Sequence, residues 1–264
     1  MVRFRRVRNL ALSIVSVILV SGCASASLDA AEVLTNSQVS ANTVGEIITR
    51  SEDFSVLVVG DDSGKSAGGW VFLMAQKMAR KYGKRVELSD VRFDTSRELV
   101  GVSEPLVFPV GDSQRTGTIR VTNWSVPWPA SQIADTVSSV AGAVPVPDLI
   151  LVSYGYPAKE YRTLGRAAVS LEKSLYASWP SAEIVFISQP NDGNHLIRFL
   201  NQQDLAVSVG NLGVQILNVE NVFAEFKEGE ETLFADSGYP NIDGFRVWSG
   251  AVMSQLDNLR MSPR

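Results

Sequence analysis

The turn Gly60-Asp61-Asp62-Ser63-Gly64-Lys65-Ser66 holds the densest run of reactive side chains in the chain. It follows the apolar, β-branched segment 54–59, so its side chains sit where a buried strand ends. A serine there performs acyl transfer when a base takes its proton and an acid orients the base. Ser63 is that serine, and His195 is the only histidine in the sequence. His195 closes the loop Gln189-Pro190-Asn191-Asp192-Gly193-Asn194-His195 after another apolar run, and Asp192 or Asp236 could orient it. A set of Ser63, His195 and Asp236 is one chemistry available to the chain. The plainer reading of His195 is a solvated residue in the first turn of a helix.

Two other chemistries compete for the same turn. Counted from Val59, it nearly fits the phosphate loop G-x-x-x-x-G-K-[ST]. Valine cannot make the tight turn that glycine permits. Asp61 and Asp62 would repel a triphosphate, and no later strand ends in a magnesium-holding acid. Asp61, Asp62 and Asp236 could instead gather around a hard cation. Against that, Asp61 can bond neighbouring backbone amides while Asp62 faces solvent. No cofactor or metal is expected. Gly111-Asp112-Ser113 looks similar, but Pro109 precedes it and no buried strand leads in, so it reads as a turn. Trp124 and Trp128, close to Pro127 and Pro129, could stack on sugar rings, yet a loop packed over the sheet edge accounts for them.

These positions depend on the elements that carry them. Segments 54–59, 85–93, 118–122, 148–153, 183–188 and 214–219 read as strands, several of them apolar throughout as in a buried parallel sheet. Helical spacing covers 70–82, stopped by Gly83, and also 131–140, 159–178, 195–205 and 245–259. Residues 97–116 read as a long irregular excursion. Alternating strands and helices make a three-layer α/β/α sandwich with a mainly parallel sheet. Such folds bind ligands at the carboxyl ends of the strands.

From Phe54 to Asp257 the chain resembles the SGNH (GDSL-type) hydrolases. The matching pieces are Gly60-Asp61, Gly69-Trp70-Val71, Val121-Thr122-Asn123-Trp124-Ser125-Val126-Pro127, Tyr154-Gly155, Ser188-Gln189-Pro190, and Asp236-x-x-Tyr239-Pro240-Asn241-x-x-Gly244-Phe245-x-x-Trp248. The resemblance implies a flavodoxin-like sandwich on a five-stranded sheet and an ancestor that cleaved esters. It also exposes four departures. Asp62 stands where the family has its serine, Trp128 where it has an oxyanion-hole glycine, Pro157 where it has an oxyanion-hole asparagine, and Tyr239 where it has the base histidine. Proline offers no donor. Tyrosine, with a pKa near ~10, is a poor base at neutral pH. Losing one oxyanion donor alone costs on the order of 100-fold in rate. The expectation is an impaired descendant that binds a glycan, lipid or protein partner, with an esterase rearranged around Ser63 as the alternative.

The amino terminus sets the location. Arg3, Arg5, Arg6 and Arg8 precede an apolar run at 10–20, too short for a comfortable membrane span. Val20-Ser21-Gly22-Cys23 resembles a bacterial lipobox, with Cys23 the lipidated residue. The expected division is a signal peptide over 1–22, a tether over 23–45 and the SGNH-like domain over 46–260. The expected location is exported, anchored on the outer face of the cytoplasmic membrane or elsewhere in the cell envelope. Cys23 is the only cysteine, so the mature chain forms no internal disulfide. The formal net charge is −4 with the basic signal included. No basic cluster remains after it, which argues against nucleic acid as a partner.

Overall fold

The computed structural model describes residues 42–65, 67–94, 99–110, 115–156, 163–192, 196–226 and 229–261. Its centre is one sheet. β1 (Asp53–Gly60) lies between β5 (Thr118–Ser125) and β6 (Leu149–Ser153), with β2 (Arg85–Asp94) outside β5 and β7 (Glu183–Ser188) and β8 (Gln215–Asn218) beyond β6. These strands are all parallel to their neighbours. Two short antiparallel strands, β3 (Leu99–Val102) and β4 (Leu106–Phe108), pair with β2. Among the described residues the sheet therefore has eight strands, wider than the five implied by the family resemblance. Six of the eight are the strands read from the sequence, and the other two, β3 and β4, lie on the β2 side inside the segment read as an irregular excursion.

The inner strands are apolar on both faces because both faces are covered. Val56 and Val58 enter the core under α2 (Trp70–Tyr82) and α7 (Ile242–Asn258), while Leu57 and Val59 enter the core under α3 (Ala130–Ala141), α4 (Leu164–Ser178) and α5 (Leu196–Gly210). β6 and β7 alternate in the same way, with Leu149, Leu151, Val185 and Ile187 on the first side and Ile150, Val152, Ile184 and Phe186 on the second. The result is the expected three-layer sandwich. Trp70 of α2 and Trp248 of α7 lie ring over ring at 5.4 Å and fix that helix pair. Gly83 ends α2 in the left-handed region at φ 63°, a conformation glycine adopts without strain.

Two helices go beyond the sequence reading. α1 (Val44–Arg50) starts inside the segment read as tether, and α6 (Val219–Ala224) follows β8 at once. α1 has a full capping box, in which Thr43 Oγ1 accepts from Glu46 N and the Glu46 carboxylate accepts from Thr43 N. Backbone bonds then tie it to the end of the domain, from Val44 N to Leu259 O and from Met261 N to Asn42 O.

Candidate functional site at the carboxyl ends of the strands

β1 ends at Gly60, β5 at Ser125, β6 at Ser153 and β7 at Ser188, so the loops after them share one edge of the sheet. Asp61 is the hub of that edge and is fully buried. Its Oδ1 accepts from Ser63 N at 3.1 Å. Its Oδ2 accepts from Gly155 N and Tyr156 N, both at 3.1 Å, and from Gln189 Nε2 at 2.8 Å. Burial pushes the Asp61 carboxyl up, and the donors at Ser63, Gln189 and Tyr156 oppose that shift without cancelling it. Three strand ends are thus tied through one carboxylate, each charge-assisted bond contributing roughly 1.5–3 kcal/mol. Gln189 is held in turn, its backbone N–H donating to Gln202 Oε1 at 3.0 Å and Gln202 Nε2 donating to Tyr154 O at 3.0 Å. A Cβ on Gly155 would lie 2.1 Å from Gln202 Nε2 and 2.6 Å from Gln189 Oε1, so this close approach requires glycine.

Asp62 and Ser63 form a short 3-10 turn with Gly64. Asp62 is exposed, whereas Ser63 is only 3% exposed. Ser63 Oγ meets no partner with hydrogen-bond geometry, although it lies close enough to Asp61 to favour the ionised carboxylate. Tyr239, 177 residues from Asp62 in sequence, donates from Oη to Asp62 Oδ1 at 3.2 Å. Tyr239 also stacks on Tyr156, with centroids 4.6 Å apart and planes 20° apart. The Arg198 guanidinium lies 4.2 Å from the Tyr156 ring centre and 5.9 Å from that of Tyr239. It donates to Gly238 O at 2.8 Å, which ties α5 to the turn carrying Tyr239. Burial, then the charges of Asp62 and Asp61, push the Tyr239 phenol up to about 12. At neutral pH it is a donor and not a base.

The structure brings Asp62, Ser63 and Tyr239 to one place. Asp236 is exposed on the same turn as Tyr239, and no polar contact among the described residues ties it to Ser63. Trp128 is half-buried on the other side of the loop, edge-on to Phe93 at 5.2 Å and packed against the α3–α4 core. Cys23, Pro157, His195 and the Gly111-Asp112-Ser113 turn lie outside the described residues. Among the described residues, no group of three or more His, Cys, Asp or Glu side chains is placed to hold a metal ion. No described helix is long and apolar enough to cross a membrane. The reading of Asp61 as an acceptor of neighbouring backbone amides, with Asp62 exposed, agrees with the structure, whereas sequence reasoning missed Arg198, Gln202 and the bond from Gln189.

No protein-family model matches the chain, and no curated protein matches it in sequence. Solved structures do match. One titled a peptidoglycan O-acetylesterase aligns with a TM-score of 0.58 at 11% identity, over 80% of this chain and 93% of its own. A member of the lipolytic G-D-S-L family from Veillonella parvula aligns at 0.51 and 11%, over 76% and 97%. A family 3 carbohydrate esterase from Clostridium thermocellum aligns at 0.52 and 12%, over 79% and 100%. Likenesses at such identities establish the fold alone, a three-layer sandwich similar to SGNH hydrolase folds.

Proposed function

We propose that this protein is an envelope lipoprotein whose SGNH-like domain is catalytically impaired and binds a glycan, lipid or protein partner at the strand-end edge. The observation that carries the reading is the hydrogen bond from Tyr239 Oη to Asp62 Oδ1 at 3.2 Å. The positions that hold a nucleophile and its base in the family hold a carboxylate and a phenol here, and the two are bonded to each other. The phenol cannot take a serine proton at neutral pH, and the Asp62 carboxylate is engaged by that phenol. Ser63 beside them is buried next to the Asp61 carboxylate. A binding role finds support at the rim, where Leu196 and Ile197 at the start of α5 are 68% and 46% exposed immediately before Arg198. Two of the structural neighbours are titled as esterases of carbohydrate material, which favours a glycan among the partners.

The alternative is an esterase rearranged around Ser63, and what favours it is the Ser63 hydroxyl lying beside the Asp61 carboxylate. A fluorophosphonate probe separates the two readings. The purified protein should stay unlabelled and should hydrolyse generic acyl esters no faster than background. Stoichiometric labelling that disappears in Ser63→Ala would promote the esterase. The combined changes Asp62→Ser, Pro157→Asn and Tyr239→His restore three of the four family positions, and a gain of ester hydrolysis in that variant would mark the scaffold as intact.

A further inference from the structure

A concavity opens beside the Ser63 turn, on the α2 side of the sheet. It encloses about 380 Å³, within the range of small-ligand sites, roughly 300–1,000 Å³. One wall is Gly64 and Lys65 of the turn itself, and another is β2, whose alternation sends Leu88, Asp90 and Arg92 to the same face. Ser103 and Glu104, between β3 and β4, close the far side. Phe72, Leu88 and Leu106 supply an apolar floor.

The charges in this pocket have an unusual arrangement. Lys65 and Arg92 are cationic, Asp90 and Glu104 anionic, and all four are exposed. No ion pair joins any of them among the described residues, although both signs line one cavity. The lining is also built from beneath. Asn123, 3% exposed, donates from Nδ2 to Gly64 O at 3.2 Å and to Asp90 Oδ1 at 2.9 Å, while Ser125 Oγ donates to Asn123 Oδ1 at 2.6 Å. That relay fixes the turn against β2 and holds the Asp90 carboxylate in position. Asp90 N donates to Ser103 Oγ at 2.9 Å and so secures the β3 side.

We propose that this pocket binds a small zwitterion, a ligand with one anionic and one cationic group joined by a short span. A purely anionic ligand drawn to Lys65 and Arg92 meets Asp90 and Glu104. A purely cationic one meets the opposite conflict. Only a ligand carrying both charges satisfies both pairs, and the like-charge contacts reject the others. Short peptides with free ends and ethanolamine-phosphate lipid headgroups share this chemistry. The proposal rests on the reading of the domain as a binding module.

Isothermal titration of the full-length protein in detergent micelles tests it with four probes. Alanyl-alanine carries both charges, N-acetyl-alanyl-alanine only the negative one, and alanyl-alanine amide only the positive one. Glycerophosphoethanolamine stands for the lipid source. At least one zwitterion should saturate, with each singly charged peptide at least about tenfold weaker than alanyl-alanine if the peptide is the ligand. Saturation by glycerophosphoethanolamine alone assigns the headgroup. Arg92→Gln and Glu104→Gln should each weaken the zwitterion by about tenfold or more. The proposal is overturned if neither zwitterion saturates up to about 10 mM, if a singly charged probe binds as tightly, or if binding survives both substitutions. None of these outcomes depends on fluorophosphonate labelling, so failure here and failure of the impaired-hydrolase reading are separately visible.

Discussion

At the scale of single residues, Asp61 and Tyr239 make opposite demands on the same edge. Asp61 Oδ2 takes three donors and Oδ1 one. In Asp61→Asn one oxygen becomes an NH2 group facing donors, leaving buried N–H groups unpaired. The urea midpoint should fall by the equivalent of roughly 1–3 kcal/mol, and an unchanged midpoint would remove Asp61 from its place as hub. Tyr239 predicts an alkaline effect. Its folded pKa is raised from 10.0 to about 12, so the fold holds this proton more tightly than the open chain does. The associated stability is complete below pH about 10 and is lost as pH climbs towards 12. Tyr239→Phe should flatten the decline of the urea midpoint over that window. Part of the slope should remain, because burial also raises Tyr82 to about 12. Parallel wild-type and Tyr239→Phe curves would contradict the assignment. The meeting of Asp62 and Tyr239 was legible only through the order of the family blocks. Arg198 and Gln202 gave no sign, because a polar residue buried by its neighbours reads in sequence like one on the surface.

At the scale of elements, β1, β6 and β7 were legible because burial on both faces leaves uninterrupted apolar runs, and β2 because its partial alternation marks one buried face. α2 appeared at its observed bounds because Gly69 and Gly83 flank a clear periodicity. β3 and β4 did not, being short edge strands of which Val102, Leu106 and Val107 are exposed, so no burial pattern marks them. α1 was missed although Thr43-x-x-Glu46 is a readable capping box. Its seven residues are too few to show a helical period. The contact between β6 and α5 through Gly155 carries its own prediction. Gly155→Ala places a methyl group 2.1 Å from Gln202 Nε2, and neither glutamine can retreat without losing its bonds to backbone. A loss of about 1–3 kcal/mol is expected from overpacking, measured by urea unfolding, and a neutral substitution would mean that the Gln189–Gln202 pair is free to move.

At the scale of the whole molecule, the proposed lipid anchor is the feature most open to direct measurement. Cys23→Ala should release the protein from the membrane fraction or leave it unprocessed, and a cleaved variant that still sediments with membranes would end the lipoprotein proposal. One detail of the fold then acquires meaning. Thr43 bridges Arg260, and Gln215, the first residue of β8, donates from Nε2 to Arg260 O at 2.9 Å. The chain therefore enters the domain at the amino ends of the strands, while Asp62, Tyr239 and the charged pocket lie at the carboxyl ends. β1 alone separates the two edges by roughly 25 Å, at about 3.3 Å for each residue. The two ends of the domain's chain and the candidate site therefore lie on opposite edges of the sheet.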